Sequence, residues 1–139
     1  MNTKRLSAWC LGVALLVGPV AAWAGVVLVG HASVHKVDQD TVQRIYSGRM
    51  IEVGGVAVSP VHLPASHPAR QRFMADVLQQ TEEQYLAYWT VRRYVGKGTP
   101  PPELRSVGEA LAHVARTPGG LAYVDEADVP AGANVIWKR

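Results

Sequence analysis

The sequence predicts an α/β fold, a three-layer sandwich in which a mostly parallel sheet is flanked by helices, and three observations carry that expectation. Short β-branched runs such as Val26 to Gly30 and Leu121 to Val124 alternate with segments whose apolar residues recur every three or four positions. Two of the helical segments open on capping-box signatures, Thr81 to Gln84 and Ser106 to Glu109. Glycine and proline punctuate the boundaries, most densely from Gly96 to Pro102 and from Pro118 to Gly120.

Ahead of these elements, Lys4 and Arg5 precede an apolar segment from Leu6 to Val17, followed by Gly18, Pro19 and the small-residue site Ala22-Trp23-Ala24. That order predicts a secretory signal peptide over residues 1–24, cleaved after Ala24. A membrane anchor is the alternative, but Gly18 and Pro19 interrupt a stretch that barely reaches the ~20 apolar residues a spanning helix needs. Cys10 leaves with the signal, so a single domain over 25–139 has to rely on a hydrophobic core rather than disulfides. Two of the 14 basic residues leave as well, so 12 face 11 acidic residues and the net charge falls from +3 to +1. No basic run with interleaved aromatics remains, and nucleic acid is not an expected partner. The expected location is the periplasm.

Within that domain, Gly25 to Gly30 reads as a buried strand. Asp38 caps a helix that carries Val42, Ile45 and Tyr46 on one face and stops at Gly48. After a Gly54-Gly55 turn, Val56 to His62 reads as a second strand. Pro68 suits an early helical position, and Ala69, Phe73 and Val77 follow at spacing four. Adjacent helices around Gln80 make the fold less regular than a doubly wound sheet. The helix opened by Thr81 places Tyr85, Leu86, Trp89 and Arg93 on a shared face. Three prolines make Gly96 to Pro102 a loop. Val107, Leu111 and Val114 form the next stripe, Thr117 to Gly120 ends it, and Leu121 to Val124 and Val135 to Trp137 are the last strands.

Several of these segments are similar to a known family. Val42 to Gly48, VQRIYSG, looks like an L-x-x-I-F-x-G segment, although Val53 stands where relatives often have Trp. Val61 to Phe73, VHLPASHPARQRF, keeps Val61, Arg70 and Phe73 of a V-x-R-s-d-g-S-G-T-r-x-x-F loop. Tyr88-Trp89, Tyr94, Gly96, Pro100 to Pro102, Ser106 and Val114 follow in order, and Pro118 to Val124, PGGLAYV, is similar to P-G-A-I-G-Y-V. The chain resembles the phosphate ABC transporter substrate-binding proteins, in a short, single-lobe form. The resemblance implies one lobe of a type 2 periplasmic binding protein, a solute-binding role and no enzymatic activity. It departs where the family grips phosphate: Leu63, Ala65, His67, Pro68 and Ala69 replace Arg, Asp, Ser, Gly and Thr. The family's standard phosphate site is therefore not expected.

What remains at that loop is a helix start, whose free amides favour anions. Ser66 and His67 are candidate ligand donors and Arg70 a candidate charge for a small anion such as phosphate. The plainer reading makes Ser66 or His67 a cap and Arg70 a surface residue. His31, His35, His62 and His67 raise a metal site, but without cysteines or clustered carboxylates they read as surface or loop histidines, and no metal or other cofactor is expected. No nucleophile elbow or nucleotide-phosphate loop is present. Tyr85, Tyr88, Trp89 and Tyr94 are core or a binding platform, rimmed by Arg92, Arg93 and Lys97. Two functions follow as expectations: a periplasmic solute-binding-type domain, or an interaction module serving a membrane transporter, sensor or envelope complex. Self-association through a face left bare by the missing lobe is a third expectation.

Overall fold

A computed structural model describes residues 25–139, and the expected signal peptide lies outside them. The elements run β1 (Val26–Gly30), α1 (Gln39–Tyr46), β2 (Glu52–Val53), β3 (Val56–Ala57), β4 (Ser59–Pro60), and α2 (Pro68–Arg72) continued by a π-helical segment (Phe73–Leu78). They continue with α3 (Glu82–Tyr94), α4 (Val107–Arg116), β5 (Gly120–Asp125), a 3-10 turn (Glu126–Asp128) and β6 (Asn134–Lys138). None of the described helices is long and apolar enough to cross a membrane.

The fold is mixed α/β, and the expectation of a mostly parallel sheet is corrected. Four strands lie in the order β4-β5-β1-β6; β1 is antiparallel to both neighbours, and only β4 with β5 is parallel. Strand-helix alternation implies parallel strands when each crossover returns beside the strand it left. Here the excursion after β1 contains its own hairpin, β2 with β3, and returns as β4, two places away. The hairpin also divides the strand expected from Val56 to His62. Gly54 and Gly55 turn it with positive φ of 57° and 80°, the pair of left-handed residues a tight hairpin asks for.

All five residues of β1 are buried, as are the first five of β5. Side chains alternate across a strand, so Leu121 and Tyr123 share one face of β5 and Gly120 and Ala122 the other. Tyr123 stacks on Phe73 with ring centroids 4.0 Å apart, and Tyr46 meets Phe73 edge-on at 4.7 Å. On the opposite face, a Cβ added to Gly120 would lie 3.1 Å from the Val114 Cα of α4. Helices thus cover both faces of the sheet.

The caps form largely as the sequence indicates. Asp38 accepts from the Thr41 amide at 2.8 Å, and Thr81 and Gln84 close a complete capping box. At α4 the box is half formed: Ser106 accepts from Glu109, but the Glu109 carboxylate reaches the Arg105 amide one residue early. Gln79, with φ of 55°, ends the π-helical segment in a left-handed residue and separates it from α3. On α3, Tyr85 and Trp89 are buried and Arg93 faces solvent, as a rim residue should, while Leu86 on the same face is also exposed. On α4 the core residues are Ala110 and Val114, with Val107 and Leu111 half-buried.

Candidate functional site

The Val61 to Phe73 segment begins as strand. Val61 donates to Leu121 at 3.0 Å, and His62 is held from the other side, donating to Pro102 at 2.8 Å while its carbonyl accepts from Leu104 at 2.8 Å. Strand alternation turns the His62 side chain inward. It is 2% exposed, which corrects the expectation of a surface or loop histidine. Its Nδ1 lies 2.9 Å from the Tyr123 hydroxyl and its Nε2 2.8 Å from that of Tyr85. Burial, and then the nearby Arg70 charge, push its pKa down to about 3, so the ring is neutral near pH 7. Burial raises the Tyr85 and Tyr123 phenols as well.

After Leu63 the chain turns through exposed Ala65 and Ser66 into α2. The Ser66 hydroxyl makes no hydrogen bond to a described residue. His67 is the N-cap: its Nδ1 accepts from the Ala69 amide at 3.1 Å, and its own amide donates to Pro64 at 2.8 Å. Pro68 has no amide hydrogen. The helix start therefore has few free donors left for an anion.

Arg70 is buried, with 10% of its side chain exposed, rather than solvated. Its Nε and Nη2 grip both oxygens of Glu82 at 2.6 and 2.9 Å, and Nη1 donates to the Leu63 carbonyl at 3.0 Å and to Glu103 at 3.2 Å. Burial works against the charge, but the Glu82 bonds outweigh it and hold the guanidinium above its ordinary pKa. Four of the five N–H donors of an arginine are thereby used. One guanidinium faces two carboxylates, so the cluster carries net negative charge and repels a second anion.

These residues open into a groove of about 620 Å³ between α3 and the Thr99 to Glu103 loop, with Tyr85, Leu86 and Trp89 on one wall and Pro100, Pro101 and Pro102 on the other. Its walls are mainly apolar, and its charged groups are Arg70, Arg93 and the acids Glu82, Glu83 and Glu103.

The structure brings His67 and Arg70 into one turn but gives both of them internal partners. His31 bonds Ser33 at 2.8 Å, His35 is exposed near Gly54, and no group of three potential metal ligands gathers among the described residues. The aromatic cluster divides: Tyr85 and Trp89 join the core, Tyr88 donates to Ser47 at 2.8 Å, and Tyr94 is 92% exposed. Arg92 is half-buried, 5.5 Å from the Tyr88 and Trp89 ring centres, and donates to Gly48. Sequence reasoning missed the role of His113. This residue reaches from α4 to the Ser59 carbonyl at 2.9 Å and fastens the edge strand; only its place on the half-buried side of α4 hinted at this. No protein-family model and no curated protein matches the chain.

Proposed function

We propose that the chain is a non-enzymatic, periplasmic domain of the phosphate-binding-protein-like, solute-binding type that has lost the family's phosphate site and works as a protein interaction module. On this reading it is one lobe of a type 2 periplasmic binding protein, exported by a cleaved signal peptide, and its partner is a membrane transporter or sensor. The observation that carries the reading is the Arg70 cluster. The one cation at the anion-loop position is held by Glu82 and Glu103, and the groove beside it is mainly apolar, with exposed Leu86 and Arg93 at its α3 wall, a mix of apolar and arginine surface that suits a protein partner better than a small anion.

Titration of the isotope-labelled protein with phosphate and then sulfate tests this, following backbone amides. No saturable shift from Ser66 to Arg70 at millimolar anion is expected. Saturable shifts centred there would restore the solute-binding role and retire the interaction module.

A further inference from the structure

We infer that the groove between α3 and the Thr99 to Glu103 loop takes an extended segment of the partner's chain, one that carries a basic and an acidic residue about five positions apart with apolar residues between them. The inference rests on the interaction-module reading and names what that module recognises.

Chain direction gives the groove two ends. Arg70 joins Glu82, the first residue of α3, to Glu103, whereas the Lys97 amide donates to the Arg92 carbonyl at 2.7 Å, so the loop runs back antiparallel to the helix. Glu82 and Arg93 mark the two ends, about 16 Å apart along the helix axis. A volume of about 620 Å³ over that length leaves a mean cross-section of about 40 Å². One extended chain occupies about 45 to 50 Å², the product of strand and sheet spacings, whereas a helix about 10 Å across occupies about 80 Å². The groove therefore suits a single extended chain that stands slightly proud of its walls.

The two ends carry opposite charge. At the start of α3, Arg70 faces Glu82, Glu83 and Glu103, one positive charge against three negative and so a net −2; at the far end stands Arg93. Glu83 and Arg93 form no ion pair with a described residue, so both are open to a partner. Between them the α3 wall is apolar, and Leu86 is 69% exposed on it. Pro100, Pro101 and Pro102 give the opposite wall no N–H, so a segment cannot pair there as an added strand and its side chains decide the fit. Charge complementarity then asks for a cation at Glu83 and an anion at Arg93. At about 3.3 Å per residue, the 16 Å or so between the ends is about five residues of extended chain.

The test is selection from random linear peptides displayed on phage, using the full chain expressed with its own leader and purified in exported form. Enriched peptides should carry Lys or Arg and Asp or Glu about five positions apart with apolar residues between, and a synthetic copy should bind with Kd of about 10 to 100 μM. Glu83→Gln should weaken that copy about threefold and Arg93→Glu about tenfold, and selection on Arg93→Glu should replace the acidic residue of the consensus with a second basic one. Failure of any peptide to enrich overturns the inference. So does a consensus without charge, or one that Arg93→Glu leaves unchanged. In those cases the interaction module works through another surface, whereas phosphate-dependent shifts from Ser66 to Arg70 would retire the module itself. Both substituted positions are exposed, and circular dichroism of each variant separates lost folding from lost binding.

Discussion

Between His62 Nδ1 and the Tyr123 hydroxyl, 2.9 Å apart, the proton belongs to the tyrosine. Tyr85 donates its hydroxyl hydrogen to the Tyr46 carbonyl at 2.7 Å, so its oxygen accepts from His62 Nε2. That leaves Nδ1 as the acceptor, and Tyr123 donates to it while its own oxygen takes the Leu63 amide at 3.0 Å. A second ring proton would confront a hydroxyl with nowhere else to donate.

Stability should therefore fall on mild acidification. The folded pKa of about 3 lies below the ordinary 6.5, so between those values the unfolded chain binds a proton that the folded chain refuses. The stabilisation is complete above pH 6.5 and is lost as pH drops towards 3. By pH 4.5 the loss from this residue should be about 2 to 3 kcal/mol. Urea unfolding at pH 7, 5.5 and 4.5 measures it, and His62→Gln should flatten the slope; an unchanged slope would show that other groups set it.

Arg70→Ala should cost about 2 to 4 kcal/mol, because it strands the Glu82 and Glu103 carboxylates and the Leu63 carbonyl. The partial exposure of both acids keeps the cost below that of a fully buried pair. Denaturant midpoints give the value.

The double substitution Glu82→Gln, Glu103→Gln should do the opposite at the loop, leaving Arg70 with uncompensated charge. We expect phosphate to shift the Ser66 to Arg70 amides in this variant and to leave the parent unmoved. If neither protein responds, the lack of free backbone donors at Pro68 and Ala69 is sufficient to prevent anion binding.

Gly119 and Gly132 separate steric from conformational cost. Both have φ of 76°, but a Cβ on Gly119 would lie 1.8 Å from the Ala57 carbonyl oxygen, whereas Gly132 has open space. Gly132→Ala should cost about 1 to 2 kcal/mol from backbone strain alone. Gly119→Ala should exceed about 4 kcal/mol, because backbone has to move, and thermal unfolding of the two variants compares them directly.

Thr81→Ala removes one half of the complete box at α3 and should cost about 1 kcal/mol. Ser106→Ala at the half-formed box tests whether the reciprocal bond matters; equal losses would show that it does not.

Local chemistry was legible in the sequence. Asp38, Thr81 and Ser106 announced their helices because a cap and its partner are three residues apart, and Pro118 to Gly120 announced a turn because its glycines have no substitute. Strand direction was not, because nothing within β1 records that its neighbours run against it. The candidate site failed to show for the same reason. Arg70 meets Glu82 and Glu103 at separations of 12 and 33, and His62 meets Tyr85 and Tyr123 at 23 and 61. A charged residue near a helix start looks free until such distant partners arrive.

The central strand makes the order of assembly unusual. β1 is the first of the described strands, yet Val27 pairs with Val124 on one side and Lys138 on the other. The sheet cannot close until residues about a hundred positions later have emerged, so folding is governed by long loop closure and is slow for a domain of this size. Removal of β6 would leave β1 as a bare edge and convert a centre of stability into a site of aggregation.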